Sequence, residues 1–265
     1  MRTDGEVGVT ATVVVHADDA TVAQAVAARL VTRIVDVQAA RGFASVVLTG
    51  GSIVNDSLAA VAGSALRDTV DWARLDLWWG DERFLPEGDP DRNETQARTA
   101  LLESVALDPR RVHPMPARSA TLRRPEDAAA AYARLLRDAS RPEDHGPVPT
   151  FDLVLLGIGP DGHVASLFPE HPALYADGAV VGVRGAPKPP PERVTLTLAS
   201  INAARQVWLV ATGEGKAKAV RMALSGTGPV QIPAAGVAGR SQTLWLLDRA
   251  AASALPRGLD RPASP

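Results

Sequence analysis

Phe151-Asp152-Leu153-Val154-Leu155-Leu156-Gly157-Ile158-Gly159-Pro160-Asp161-Gly162-His163 is the stretch from which the fold is read. Its first half is an apolar run of buried-strand type. Its second half breaks into three glycines, a Pro-Asp turn and a histidine. A strand ending this way holds its backbone in a special shape and sets one titratable side chain at its carboxyl end. In an α/β sheet that end is where ligands bind.

Other segments repeat the arrangement. Val46-Val47-Leu48 runs into Thr49-Gly50-Gly51-Ser52, and Leu75-Asp76-Leu77-Trp78-Trp79 runs into Gly80-Asp81-Glu82-Arg83. Val207-Trp208-Leu209-Val210 runs into Thr212-Gly213-Glu214-Gly215-Lys216. If these strands are parallel neighbours, all four clusters open onto one edge of one sheet. That convergence argues for an active site more strongly than any single motif.

Between the strands the pattern turns helical. Residues 8–16 read as a strand, and Asp18 or Asp19 caps a helix whose apolar positions run from Val22 to Val35. Gly42 ends that helix. Strand 43–49, a helix over 54–66, strand 75–79, a polar loop 84–92 and a helix over 93–105 follow. Pro125 starts a helix from Glu126 to Ala139. Arg141–Pro149 is a Pro-rich connector, 151–156 a strand, and 184–192 a second Pro-rich loop too donor-poor for a sheet interior. Val194–Leu198 alternates as a half-buried strand, followed by strand 207–211, a helix over 214–224 and strand 243–247. The expected fold class is therefore α/β, with a doubly wound, mostly parallel sheet flanked by helices. Residues 1–265 are expected to form one domain, with frayed termini at about 1–7 and 256–265.

Composition narrows the function classes. The chain has 265 residues, 46% of them hydrophobic and 22% charged, enough for a substantial core. A net charge of −2 gives no global field for nucleic acid, so an anion site must be built locally. With no cysteine, disulfides and thiolate metal sites are excluded and a reducing, cytoplasmic location is expected. No apolar run approaches the ~20 residues of a membrane helix, so no membrane partner is expected.

Gly157-Ile158-Gly159-Pro160-Asp161-Gly162 matches the dinucleotide fingerprint, but it lies mid-chain and Pro160 removes an N–H that would cradle a pyrophosphate. Three readings stay open: a dinucleotide loop, a plain turn, and a turn that presents His163 to a substrate. His16, His113, His145 and His171 lack companions that suggest chemistry, whereas His163 follows a forced turn at a strand end. A histidine there can take a proton from water and return it. Gly80-Asp81-Glu82-Arg83 is either a solvated charged loop or an acid and a guanidinium turned into the cleft. In the second case Arg83 orients a histidine or holds an oxyanion, and Asp81 binds sugar hydroxyls or acts as a base. Thr49, Gly50, Gly51 and Ser52 make either a tight turn or a phosphate seat at a helix N-terminus. Lys216 and Arg193 are candidate anion clamps. Ala217 after Lys216 rules out a Walker A loop, and no G-x-S-x-G elbow or HExxH motif occurs.

Taken together, these blocks resemble the 6-phosphogluconolactonase family. The resemblance rests on Leu48–Ser52, on Gly80–Arg83 with Asn93 downstream, and on Leu156–Pro169 with its GPDGH-x-A-S-L-F-P core. It continues through Pro189–Thr197 and Gly215-Lys216-Ala217, covering roughly residues 45 to 225. Ile53-Val54 stand where the family's loop often has Thr-Pro. The resemblance implies the glucosamine-6-phosphate deaminase-like fold and hydrolysis of 6-phospho-D-glucono-1,5-lactone without a metal or other cofactor. It also implies roles: His163 as general base, Arg83 holding its ring and Asp81 at the sugar. Gly50, Gly51 and Ser52 would hold the phosphate with Arg193 and Lys216. Thr49, Gly159, Asp161 and Gly162 complete the expected substrate-binding set, and the oxyanion is expected on backbone N–H groups of the 157–163 turn. The partner is then a small phosphorylated sugar lactone, the protein a monomer or weak homo-oligomer. Two alternatives remain: a deaminase-like sugar-phosphate isomerase, and a non-catalytic sugar-phosphate effector domain.

Overall fold

The computed structural model describes residues 11–144, 146–256 and 261–262. Its main sheet contains β1 (Thr12–His16), β2 (Ala44–Leu48), β3 (Leu75–Trp79), β5 (Val112–His113), β6 (Leu153–Gly157), β9 (Gln206–Ala211), β10 (Gln242–Asp248) and β11 (Arg261–Pro262). Every pairing in it is parallel, in the order β11-β1-β10-β9-β6-β2-β3-β5. From β2 the chain steps outward through β3 to β5, then returns to the opposite side of β2 as β6. The order therefore reverses between β2 and β6, and the crevice above such a switch point is where open α/β sheets bind ligands.

The strands are apolar along their whole length because both faces are covered. All five residues of β2 are buried, and Leu153, Val154, Leu155 and Leu156 of β6 are fully enclosed. Each buried Leu or Val side chain contributes roughly 1.5–3 kcal/mol relative to exposure. Helix α1 (Asp19–Arg41) is capped by the Asp18 carboxylate, which accepts from Thr21 N at 2.8 Å. It buries Val22, Val26, Leu30, Ile34 and Val37 on one stripe. Helix α2 (Ser52–Ala62) lies against it. No helix among the described residues is long and apolar enough to cross a membrane.

A second sheet was not foreseen from the sequence. β4 (Asp81–Arg83), β7 (Val180–Val183) and β8 (Arg193–Leu196) form three antiparallel strands in the order β4-β8-β7. The threonine strand thus belongs here and not to the parallel sheet. Gly80 is the junction: its N–H donates to Leu48 O in the main sheet at 2.7 Å, and its carbonyl accepts from Leu196 N at 2.8 Å. A Cβ on Gly80 would stand 2.8 Å from Thr49 Cγ2 and 3.4 Å from Val47 Cγ1, so a side chain there would push against the end of β2.

Helix α3 (Asn93–Ala100) follows β4, and α4 (Pro125–Ala139) covers β7 and β8. The Tyr132 hydroxyl of α4 accepts from Trp79 N at 2.9 Å and lies 3.2 Å from the His113 carbonyl. This bolts the second layer to β3 and β5.

Boundaries shift where local geometry overrides pattern. The helix expected over 54–66 starts at Ser52, directly after the turn, and stops at Ala62. The helix expected over 93–105 ends at Ala100, before a short 3-10 turn. The expected 214–224 helix opens as a 3-10 turn, Glu214–Lys216, before α6 (Ala217–Leu224), with α5 (Leu198–Asn202) before it and α7 (Arg249–Ala252) after it. Of the termini expected to fray, 1–7, 257–260 and 263–265 lie outside the described residues. Arg261–Pro262 pair with Val14–Val15 at the sheet edge, so that part of the tail is anchored.

Candidate active site

A cavity of about 290 Å³ opens at the carboxyl ends of β2 and β6. Two of its walls come from turns built on glycine. Gly51 holds φ 119° and leads straight into α2. The first intrahelical bond is Asn55 N to Gly51 O, so the N–H groups of Ser52, Ile53 and Val54 lack acceptors within the helix. A Cβ on Gly50 would sit 2.0 Å from Asn93 Oδ1. Thr49 is a buckle between strands: its hydroxyl donates to Leu155 O at 2.9 Å.

The turn after β6 is wound tightly around the histidine. Gly159 N donates to His163 O and Gly162 N to Gly159 O, both at 2.9 Å. A Cβ on Gly159 would lie 2.0 Å from His163 Nδ1, so the imidazole rests directly on this glycine. The ring packs on Phe168 at 4.6 Å, and Nδ1 meets Asp161 Oδ1 at 2.5 Å. Burial pushes the Asp161 carboxyl up, but the His163 hydrogen bond, then the charges of His163 and Lys188, outweigh it and hold it at about 2. An ionised Asp161 accepts Nδ1–H and leaves Nε2 as the basic nitrogen.

One expectation changes here and one narrows. Arg83 does not hold the ring; Asp161 does. The Arg83 guanidinium donates through Nη1 to Asp91 O at 2.5 Å, and its buried Nε has no partner among the described residues. Of the amides in the 157–163 turn, those of Gly159 and Gly162 are consumed within the turn and are not free for an oxyanion.

Asp81 is buried against the cavity. Its carboxylate accepts from Ser166 Oγ at 2.7 Å and from Asn93 Nδ2 at 3.2 Å. Next to it, Glu82 turns away and caps α3, accepting from Asn93 N at 2.6 Å and Glu94 N at 2.9 Å. Burial pushes the Glu82 carboxyl up to about 7, against the pull of Arg92 and three backbone N–H groups. That cap fixes Asn93, whose Oδ1 is buried and unpartnered at the cavity wall.

Arg193 is only partly available as a clamp. Its Nε donates to Pro190 O at 3.1 Å, and Nη2 to Lys188 O at 2.9 Å and Pro189 O at 3.1 Å. It therefore buckles the Pro-rich loop and brings Lys188 to the cavity beside Lys216. Lys216 has its pKa lowered first by burial and then by Lys188, with Asp161 opposing.

The expected residues Thr49, Gly50, Gly51, Ser52, Asp81, Arg83, Gly159, His163, Arg193 and Lys216 all line this cavity. Asp161 and Gly162 sit behind it, in the turn. Across residues 17–245 the chain matches the family model described as glucosamine-6-phosphate isomerases/6-phosphogluconolactonase. The chain belongs to this family. Within it, a Streptomyces coelicolor protein named 6-phosphogluconolactonase is 64% identical over 253 residues, covering 95% of this chain and 97% of its own. A solved 6-phosphogluconolactonase from Trypanosoma brucei is 28% identical with TM-score 0.81, over 94% of this chain and 100% of that one. A monomeric glucosamine-6-phosphate deaminase shares the fold at 19% identity, with TM-score 0.75 over 92% and 99% of the two chains.

For this family member, sequence reasoning missed Lys188 as a lining residue, and gave Asn93 no task. The Asp-Gly-His spacing carried the signal for Asp161 as the histidine's partner. Lys188 had no such signal, because a lysine in a Pro-rich loop is usually solvated.

Proposed function

We propose that the chain is a 6-phosphogluconolactonase, hydrolysing 6-phospho-D-glucono-1,5-lactone to 6-phosphogluconate. The observation that carries this reading is the Asp161–His163 pair facing a glycine-rich, cation-lined seat in one cavity. The named Streptomyces relative supports the same activity.

A lactone is an activated ester, so water needs a base and no covalent nucleophile. His163 Nε2 takes a proton from water as the water oxygen bonds to C1. The carbonyl electrons move onto oxygen, and Arg83 Nε–H, which has no acceptor among the described residues, supplies a donor for that oxyanion. Collapse breaks the bond from C1 to the ring oxygen, which receives the proton back from His163. Base catalysis of this kind contributes about 10²–10⁴-fold. The phosphate is held far from the breaking bond by Ser52, the N–H groups opening α2, Lys188 and Lys216. Asp81 and Asn93 receive the sugar hydroxyls. The cysteine-free composition supports a reducing compartment, and we assign the enzyme to the cytoplasm.

The test is lactone opening. Substrate generated in situ by glucose-6-phosphate dehydrogenase is followed to 6-phosphogluconate above the spontaneous rate. Wild type should accelerate it and His163→Ala should not. Ammonia release from glucosamine 6-phosphate without lactone opening would overturn the reading.

A further inference from the structure

A second cavity, of about 330 Å³, lies against the β2-β3-β5 edge of the main sheet. It is lined by Ser45 of β2, Asp76 and Trp78 of β3 and His113 of β5, with Phe43 and Arg141 at its side. Along β2, Ser45 is five residues from Gly50, roughly 17 Å at about 3.3 Å per residue. No residue is shared with the catalytic cavity.

Two polar atoms here are buried without a partner among the described residues. Trp78 is 2% exposed and Ser45 5%, yet neither Trp78 Nε1 nor Ser45 Oγ is hydrogen-bonded. Indole nitrogen only donates, so what satisfies it must be an acceptor. The indole is fixed by stacking on His113, with centroids 3.9 Å apart. His113, which the sequence left without companions, also meets Asp76 Oδ1 at 3.3 Å.

The guanidinium groups are not equally committed. Arg41 and Arg205 pair with Asp152, and Arg111 with Asp76. Arg141 lies over the Phe43 ring at 4.7 Å and has no carboxylate within ion-pair distance among the described residues. Asp144 is occupied by the backbone N–H groups of Arg141 and Thr150. Glu143 also lines the cavity, and its carboxylate opposes an anion. The surplus is therefore in donors: one indole N–H, one hydroxyl and one unpaired guanidinium around a single space.

We propose that this cavity is a binding site for a small organic oxyanion, a phosphate ester or a carboxylate, separate from the catalytic seat. Arg141 supplies the charge, while Trp78 Nε1 and Ser45 Oγ donate to the anion's oxygens. Glu143 limits how tightly it is held.

The five tryptophan indole N–H signals report on this directly by NMR, with Trp78→Phe or Ser45→Ala assigning the Trp78 signal. Inorganic phosphate and citrate are the probes, and Lys216→Ala disables the catalytic seat. The expected result is a saturable shift of the Trp78 signal that persists in Lys216→Ala. Arg141→Ala should weaken it about tenfold or more, the loss of one charged hydrogen bond, and Glu143→Gln should tighten it. Which probe shifts the signal tells phosphate from carboxylate recognition. The proposal is overturned if neither probe moves Trp78 at concentrations that saturate the catalytic seat, or if Arg141→Ala responds like wild type. Arg141 is exposed, so its loss leaves the fold and lactone opening intact.

Discussion

Replacing Asp161 by asparagine keeps the side chain's shape and removes its charge. The carboxyl stands at about 2 against an ordinary 3.8. At about 1.4 kcal/mol per pH unit, that shift corresponds to an upper limit of roughly 2.4 kcal/mol. The side chain is 34% exposed, so solvent screening leaves about 1 kcal/mol. The larger effect is tautomeric. An asparagine NH₂ facing Nδ1 sends the ring proton to Nε2, where the base must be, and such a reversal costs up to about 10⁴-fold in the analogous serine-protease triad. Asp161→Asn should therefore lower kcat by about 10²–10⁴-fold. Asp161→Ala imposes no tautomer and should fall less. Stability tracks the same pair: a depressed carboxyl contributes above pH 3.8, and the contribution is lost as pH falls through about 2. Near pH 7 the asparagine variant should thus lose about 1 kcal/mol in denaturant unfolding. Lactone opening under saturating substrate is the assay. If Asp161→Asn stays within about threefold of wild type, or Asp161→Ala is the worse enzyme, the tautomer argument fails.

Gly159→Ala places a methyl 2.0 Å from His163 Nδ1; the ring must swing away, and kcat should collapse while the far-UV spectrum stays native. Arg193→Lys gives up the fork that holds the Lys188, Pro189 and Pro190 carbonyls. It should raise KM by about tenfold, more than it lowers kcat, because the loop delivering Lys188 is loosened; an unchanged KM would refute the buckle. Ala165 lines the cavity at φ 50°, so Ala165→Gly relieves about 1–2 kcal/mol of left-handed strain against about 0.4–1 kcal/mol of added chain entropy. Urea unfolding should show a net gain of roughly 0.5–1 kcal/mol. Glu82 has its pKa raised from 4.5 to about 7, so its favourable contribution is complete below pH 4.5 and disappears as pH rises through 7. The Tm gap between wild type and Glu82→Gln should narrow over that window; a widening gap would mean that the carboxylate is the form the fold prefers.

The parallel sheet was legible because its strands are continuous apolar runs that end in glycine. Leu75–Trp79 has those bounds in the structure, and α1 begins and ends at its Asp18 and Gly42 caps. The second sheet was not legible, for a physical reason. β4 is only Asp81-Glu82-Arg83, three charged residues whose polarity reads as solvated loop. Each is retained in the interior by a specific partner: Asp81 by Ser166, Glu82 by the amides that open α3, Arg83 by the Asp91 carbonyl. Charge in a buried strand is decided by partners distant in sequence, which periodicity does not encode.

The same fact explains why residue types were found while some of their contact partners were not. His163, Asp81, Arg83 and the Thr49–Ser52 turn all reach the cavity, since strand ends deliver them there whatever their side chains do. Which group orients the imidazole depends on two residues of backbone folded over Gly159, a distance too local for sheet topology to show. Asp161 wins over Arg83 because the turn brings its carboxylate to Nδ1 while Arg83 is drawn toward Asp91. On the proposed mechanism, that division sets a negative charge at the base's Nδ1 and leaves a positive donor for the oxyanion. A base meant to raise an oxyanion from a neutral carbonyl requires that polarity. The reverse arrangement, with the arginine behind the ring, would oppose the imidazolium at the moment it forms.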